Sequence, residues 1–259
     1  MKKLVLALTA VAAFTGSALA ADLPARTYTK APVMPEPVYN WTGFYIFGGA
    51  GGGVWDADTF SVNAAGNATS ISQRQGGDGW FGTVGAGYDW QFNHSWVAGI
   101  FADGQFGSLK GTMVDSTLNV AGNVKLQDTW AVGVRLGYLV APNVYSYVNA
   151  GFTESFWNGA SLGSPAGTAA TLTTPSFNRN GWFVGGGVEN NLNIFGITAP
   201  GWFMKTEYRA ASFNRATLAE SNLAGIPTGN STTFSPFVQT ISTSLVYRFN
   251  WGGPLVAKY

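Results

Sequence analysis

The 259-residue chain contains no cysteine and only one histidine, His94. It therefore forms no disulfide and lacks the Cys and His clusters that build most structural zinc sites. Charged residues are also scarce, at 10% against about a quarter in an average soluble domain. A net charge of +1 offers no basic footprint for nucleic acid. We therefore predict no metal, no cofactor and no nucleic-acid partner.

The continuous apolar run near the N-terminus is too short for a membrane helix. Lys2 and Lys3 precede an apolar stretch at 4–14, and an Ala-Leu-Ala sequence ending at Ala20 has the small-x-small pattern that signal peptidase accepts. A membrane-spanning anchor would need about 20 apolar residues. We predict a signal peptide at 1–20, cleaved after Ala20 and exported by the Sec route. Without its two lysines, the mature chain has 12 basic and 13 acidic residues.

After the signal comes a proline-rich segment and then a long region of period-two alternation. Residues 21–40 carry four prolines and little apolar pattern, which predicts an extended periplasmic linker. Beyond it, apolar and polar residues alternate, which is typical of β-strands, and no helical periodicity is evident. We predict eight strands, at 42–54, 80–92, 96–106, 129–140, 144–156, 180–192, 202–210 and 237–249.

The connections between these strands alternate in length, which is the plan of an outer-membrane barrel. Those near His94, Pro142 and Phe195 are short, and those around Gly66, Thr117, Pro165 and Gly225 have roughly 17 to 27 residues. Short turns would lie in the periplasm and long loops outside the cell. We predict an all-β fold, an eight-stranded antiparallel transmembrane β-barrel at 41–249, followed by a tail at 250–259.

The aromatic residues, 15% of the chain, concentrate on one face of the predicted strands. Their spacing of about ten residues suits two girdles at the membrane interfaces. The alternative is a soluble β-sandwich with an aromatic core, but its opposite face would then be amply charged rather than rich in glycine. The predicted lipid-facing girdle comprises Trp80, Trp90, Trp96, Trp130, Tyr138, Trp202 and Tyr208.

Charged residues on the opposite face of the strands would point into the lumen. They are Asp103, Arg135, Glu189, Lys205, Glu207, Arg209 and Arg248. Unpaired charges there are costly unless water reaches them, so we expect ion pairs. Two interpretations remain, a structural salt-bridge network or a polar path for ions. Eight strands are barely wide enough for their own side chains, which favours the structural interpretation.

Apparent catalytic motifs lack the context that their chemistry needs. Gly159, Ser161 and Gly163 match the G-x-S-x-G nucleophile elbow, but in a predicted loop, with His94 expected across the membrane. The glycine run at 48–53 lacks the Lys-Ser/Thr of a phosphate loop. It is better suited to curvature or close packing within a strand. We predict that the protein is not an enzyme.

Several short segments, in this order and spacing, resemble a known family. They are AADLP at 20–24, WTGFY at 41–45, GVE at 187–189, KTEY at 205–208 and YRF at 247–249. Together they are similar to small alphaproteobacterial outer-membrane β-barrel proteins of the "porin family", related to the OmpA-like and opacity-type barrels. The resemblance covers nearly the whole mature chain and implies abundant surface proteins that support envelope integrity, some with claimed porin activity.

The resemblance also implies partners and an assembly signal. Tyr247 and Phe249 resemble the C-terminal aromatic positions that the barrel-assembly machinery reads, although the residues at 250–259 continue past the expected terminal Phe. The other expected partners are outer-membrane lipids and lipopolysaccharide, with peptidoglycan or host surfaces as further candidates. We predict a structural, surface-exposed envelope barrel. The alternatives are a small passive porin for ions or small solutes and a loop-mediated adhesin.

Overall fold

The computed structural model describes residues 39–167, 169–194 and 197–249. The predicted signal peptide, most of the predicted linker and the predicted tail lie outside the described residues. The described residues form antiparallel strands, and none of them belongs to a helix that could cross a membrane. The strands are β1 Gly43–Val62, β2 Gln73–Phe92, β3 Trp96–Asp115, β4 Val120–Ala141, β5 Val144–Asn158, β6 Ser161–Gly163, β7 Ala170–Thr173, β8 Phe177–Ile194, β9 Ile197–Phe213, β10 Ala216–Asn222 and β11 Pro227–Phe249.

Eight long strands close into a barrel. They follow the order β1-β2-β3-β4-β5-β8-β9-β11, and β11 pairs back onto β1. Following registered partners once around the ring from Phe44 returns to β1 at Val54, a stagger of ten residues. With a rise of ~3.3 Å per residue and strands ~4.7 Å apart, this stagger gives a tilt of about 41° and a backbone radius of about 8 Å.

Each long strand separates its side chains into an outer apolar set and an inner set. On β2, Trp80, Val84 and Trp90 are exposed, whereas Thr83 and Asp89 between them are buried. This follows from the two-residue period of a strand, which alternates side chains across the wall. Regular rows of exposed apolar residues indicate that the outer face of the ring contacts lipid rather than water.

Inward-facing glycines make room for large side chains inside this narrow ring. A Cβ atom at Gly87 would overlap the phenol ring of Tyr45, and one at Gly187 would overlap the ring of Tyr147. The glycine-rich inner face therefore complements a lumen filled by aromatic and charged side chains.

Most long strands continue beyond the ends predicted from sequence, and much of each long connection is itself strand. At the end of the barrel with the long connections, the segments left between consecutive strands include 63–72, 116–119 and 223–226. The β5–β8 connection contains β6 and β7. Asn and Gly are weak strand formers and large apolar residues are few, so the period-two signal fades there. Pairing with neighbouring strands and a buried inner face nevertheless hold these residues extended.

The extra strand pairs form a second closed ring at the long-connection end. Here β4 pairs with β6, β6 with β7, β7 with β10 and β10 with β11, and β1–β3 complete the circle. We call this part the crown. It comprises β6, β7 and β10 with residues 55–62, 73–79, 109–115, 120–126 and 227–237 of the long strands. Its interior contains apolar side chains, with Met113, Leu162 and Leu218 fully buried, beside several buried polar residues.

Candidate functional site

The candidate functional site is the filled lumen, and four charged residues occupy its short-turn end. Arg135 donates from Nε to Asp89 Oδ1 at 2.9 Å and from Nη1 to Glu189 Oε2 at 3.3 Å. Arg248 pairs with the same two carboxylates, at 2.7 Å to Glu189 and 2.8 Å to Asp89. Each arginine thus bridges both acids, and all four side chains are at most 3% exposed.

Aromatic rings surround the two arginines of this lower network. The Arg135 guanidinium carbon lies 4.2 Å from the centre of the Tyr45 ring, and that of Arg248 lies 5.0 Å from the same ring. Trp41 lies 4.5 Å from Arg248 and packs against Tyr145. Cation–π contacts of this kind stabilise the two guanidinium groups, which are buried away from water.

A second network lies further along the lumen. Arg209 donates from Nη1 and Nη2 to the two Asp103 oxygens, at 3.0 and 2.7 Å, and from Nη2 to Glu207 Oε1 at 2.7 Å. Lys205 Nζ lies 3.7 Å from Glu207 and 3.3 Å from the centre of the Phe47 ring. The Tyr147 hydroxyl also donates to Glu207, at 2.8 Å. The two-pronged contact to Asp103 fixes the plane of the Arg209 guanidinium.

All seven lumen residues named from sequence are buried in these two networks, and one further member was missed. Asp89 is fully buried and pairs with two arginines. Its position on the inner face of β2 was the available signal, since it alternates with the outward Tyr88 and Trp90. With Asp89 included, four acids face four bases: Asp89, Asp103, Glu189 and Glu207 against Arg135, Lys205, Arg209 and Arg248.

A hydrophobic cluster fills the lumen beyond the second network. Trp55, Trp157 and Phe234 contact one another, with ring centres 5.2 to 5.6 Å apart. The indole N–H of Trp157 donates to Ser155 Oγ at 2.9 Å, so its polar atom is satisfied. Between the charges and this cluster lie two cavities of about 10 Å³ each. Each cavity has about the space of one water molecule.

On the outer surface, all seven aromatic residues predicted for the girdle have exposed side chains. Trp90, Trp96, Tyr138 and Trp202 lie near the short turns, and we call them the lower ring. Trp80 and Trp130 lie nearer the crown and mark the upper ring. Tyr208 donates its hydroxyl hydrogen to Gln239 at 2.7 Å. Trp80 and Trp90 are ten residues apart on β2, or about 25 Å along the barrel axis, which is the height of the apolar band of such barrels.

The remaining motif residues do not assemble a catalytic group. Ser161 lies on β6 in the crown, whereas His94 lies in the β2–β3 turn with a φ of 60° at the opposite end. Tyr247 and Phe249 lie next to the seam where β11 meets β1, and their rings contact edge to face at 4.9 Å. Across the described ranges, no group of three or more His, Asp or Glu side chains is placed to hold a metal ion.

The comparisons with known proteins agree with this architecture. The family "Outer membrane protein beta-barrel domain" matches residues 6–249, and the chain belongs to this family. A 31 kDa outer-membrane immunogenic protein of Brucella melitensis is 29% identical over 226 residues, which are 85% of this chain and 90% of the relative. A protein of the same name from Brucella suis matches equally. The protein is therefore located in the bacterial outer membrane, with its short turns in the periplasm and the crown outside the cell.

Solved outer-membrane proteins are similar to the chain at low identity. OprG of Pseudomonas aeruginosa has a TM-score of 0.45 at 10% identity, covering 81% of this chain and 98% of that protein. Neisserial surface protein A has a TM-score of 0.40 at 14% identity, covering 80% and 98%. Ail of Yersinia pestis, described as an attachment invasion locus protein, has a TM-score of 0.36 at 13% identity, covering 78% and 99%.

Proposed function

We propose that this protein is a non-conducting barrel that supports the outer membrane and presents the crown at the cell surface. The observation that carries the proposal is the double filling of the lumen, by paired charges in the membrane and by aromatic residues in the crown. No catalytic step forms part of it. Lipids and lipopolysaccharide would surround the outer face, the assembly machinery would read Tyr247 and Phe249, and peptidoglycan is a further candidate partner.

The charges of the lumen disfavour an ion path because they are already satisfied by one another. Each of the four acids contacts at least one base at 3.7 Å or less. An ion entering the lumen would have to break buried pairs, and separating one partner of such a pair costs about 3–5 kcal/mol. It would then meet the Trp55, Trp157 and Phe234 cluster, which offers no ligand atoms. The passive-porin alternative lacks a continuous polar route.

Conductance measurements test the proposal directly. Folded protein, identified by its changed gel mobility before boiling, is reconstituted in planar bilayers beside a porin as positive control. We expect a flat baseline. Discrete current steps that disappear on boiling and change when Arg135 or Glu207 is substituted would overturn the proposal. A deletion strain should lose detergent resistance without altered solute uptake, and an envelope of normal resistance would count against the structural role.

A second candidate function, contact with host surfaces, is favoured by the tips of the crown. The segments 63–72, 116–119 and 223–226 contain no charged residue. They expose four aliphatic side chains, those of Ile71, Leu118, Leu223 and Ile226. A hydrogen bond of 3.0 Å between Thr69 and Thr117 joins two of the tips. Exposed aliphatic side chains gathered at one uncharged end of the barrel could bury apolar area against another molecule.

Replacing the exposed aliphatic residues tests this contact role. The variant Ile71→Ser with Leu223→Ser should reduce binding of expressing cells to host cells severalfold while the barrel keeps its heat-dependent mobility. Ile241→Ala, on the outer wall of the barrel, is the matched control and should leave adhesion unchanged. Equal adhesion of the tip variant and the wild type would reject contact through the tips.

A further inference from the structure

Two carboxyl groups are buried inside the crown, outside the membrane-spanning part of the barrel. Asp115 ends β3 and is 1% exposed, and Glu220 lies on β10 and is fully buried. Ser61, which donates to Asp115, and Thr232, which donates to Glu220, lie directly opposite each other in the β1–β11 pair, so the two carboxyl groups are close together. Neither residue belongs to the lumen networks.

The polar contacts of the two acids are unequal. Asp115 Oδ1 accepts hydrogen bonds from the Ser61 hydroxyl at 2.7 Å and from the backbone N–H groups of Thr117 and Leu118 at 2.7 and 3.1 Å. Glu220 Oε1 accepts from the Thr232 hydroxyl at 2.7 Å. The second oxygen of each acid, Asp115 Oδ2 and Glu220 Oε2, is buried without a hydrogen-bond partner among the described residues. Asp115 thus accepts three hydrogen bonds, whereas Glu220 accepts one.

The described surroundings contain no cation that could neutralise the pair. Other inward-facing side chains of the crown at this level do not titrate: Thr59 and Ser61 of β1, Gln73 and Gln75 of β2, Met113 of β3, Val120 of β4, Leu162 of β6, Leu172 of β7, Leu218 of β10 and Thr232 of β11. The charged residues on the outer face of the same strands are Asp56, Asp58, Arg74, Asp78, Lys110 and Lys125. Arg74 pairs there with Asp56, at 2.7 Å.

Two adjacent buried carboxylates without a cation cannot both remain charged at low cost. One proton on Glu220 would let its carboxyl donate to Asp115 and would satisfy both orphan oxygens. The pKa of Glu220 is raised from 4.5 to about 7, chiefly by burial; the Thr232 hydroxyl opposes this shift and the neighbouring Asp115 adds to it. Similar carboxyl pairs that share one proton are known to titrate as a unit.

We propose that Asp115 and Glu220 form a proton-binding site that holds the extracellular crown closed and loosens it when the proton leaves. Because folding raises the pKa of Glu220, the stabilisation is complete below pH 4.5 and is lost as the pH rises through about 7. Alkaline conditions outside the cell would therefore free β10 and the 223–226 tip, whereas the membrane barrel would be unaffected.

Infrared and hydrogen-exchange measurements on the folded full-length protein test the proposal. Infrared difference spectra between pH 5 and pH 9 should contain the C=O band of a protonated carboxyl, lost in Glu220→Gln. After correction for intrinsic rates, crown amides of the wild type should exchange about tenfold or more faster at pH 9 than at pH 6, since one pKa unit corresponds to tenfold in the equilibrium. In Glu220→Gln, whose side-chain amide replaces the donated proton, exchange should stay slow at both pH values.

A control variant separates the role of Glu220 from the general effect of losing a carboxylate in the crown. Asp58→Asn removes an exposed carboxylate from the same crown and should retain the pH response of the wild type. A pH response in Glu220→Gln equal to that of the wild type would overturn the proposal. Calcium alone, added at pH 9, should not restore slow exchange. If it did so in the wild type but not in Glu220→Gln, the pair would be a cation site and the proton proposal would be wrong.

Discussion

Replacing Arg135 with methionine tests the central claim that buried charge pairs hold the lumen together. The change keeps much of the side-chain volume but removes the cation between Asp89 and Glu189, which would then share only Arg248. Removing one member of a buried ionic group costs about 3–5 kcal/mol because a charge is left uncompensated. With a urea slope of ~2 kcal/mol/M, the unfolding midpoint should fall by about 1.5–2.5 M.

The matched control is Arg74→Met, which breaks an ion pair of comparable length at the crown surface. The Arg74–Asp56 distance is 2.7 Å, but the Arg74 side chain is 70% exposed, so the expected cost is about 0–1 kcal/mol. Unfolding in lipid vesicles is followed by the gel mobility of unheated samples. Adding Glu189→Gln to Arg135→Met restores neutrality and should recover part of the loss. Equal costs for Arg135→Met and Arg74→Met would refute the network argument.

Three further changes probe the wall of the barrel. Gly87→Ala should cost about 1–3 kcal/mol in urea unfolding because its Cβ overlaps the Tyr45 ring. Gly82→Ala, whose Cβ would meet no atom closer than 3.8 Å, should be nearly neutral. Equal effects would contradict the packing argument. Val134→Arg, halfway between the aromatic rings, should cost about 2–4 kcal/mol in vesicles, and an unchanged midpoint would argue against lipid contact there. Phe249→Ala should reduce the heat-modifiable protein in outer membranes without changing stability in vesicles, and normal assembly would exclude Phe249 from the signal.

The membrane part of the fold could be predicted from sequence because its pattern has a single physical source. Lipid outside and a packed, charged lumen inside impose opposite preferences on successive residues. The apolar Val134 and Leu136 on either side of Arg135 therefore indicate the side of the wall directly. The short turns at His94 and Pro142 then determine which strands are neighbours. Eight antiparallel strands and their order were accessible in this way.

The pairing of the lumen charges could not be read from the same pattern. Alternation places Asp103 and Arg209 on the inner face, but they are 106 residues apart and meet only because the barrel closes with a stagger of ten residues. Asp89 alternates with Tyr88 and Trp90 and so lies in the same inward phase, but it was not counted among the lumen charges. Counting every charge in the inward phase would have found it and revealed the balance of four against four.

The crown was hidden for a different reason. Its short strands have only three to seven residues, too few to show a clear period-two pattern, so the sequence predicts loops there. Their structure depends on partners far away, such as Ser221 of β10 opposite Thr173 of β7. Pairing between distant segments here overrides the local conformational preference. The burial of Asp115 and Glu220 follows from this pairing and could not be predicted from the sequence pattern.

The circular pairing of the crown limits how another molecule can recognise it. In the part of the chain that the structure describes, β6, β7 and β10 each have a partner on both sides, so none of them is an edge strand. A peptide that binds by extending a sheet needs such an edge. Any recognition at the cell surface would therefore use the side chains of the tips. The same arrangement leaves these strands no free edge through which two copies could join.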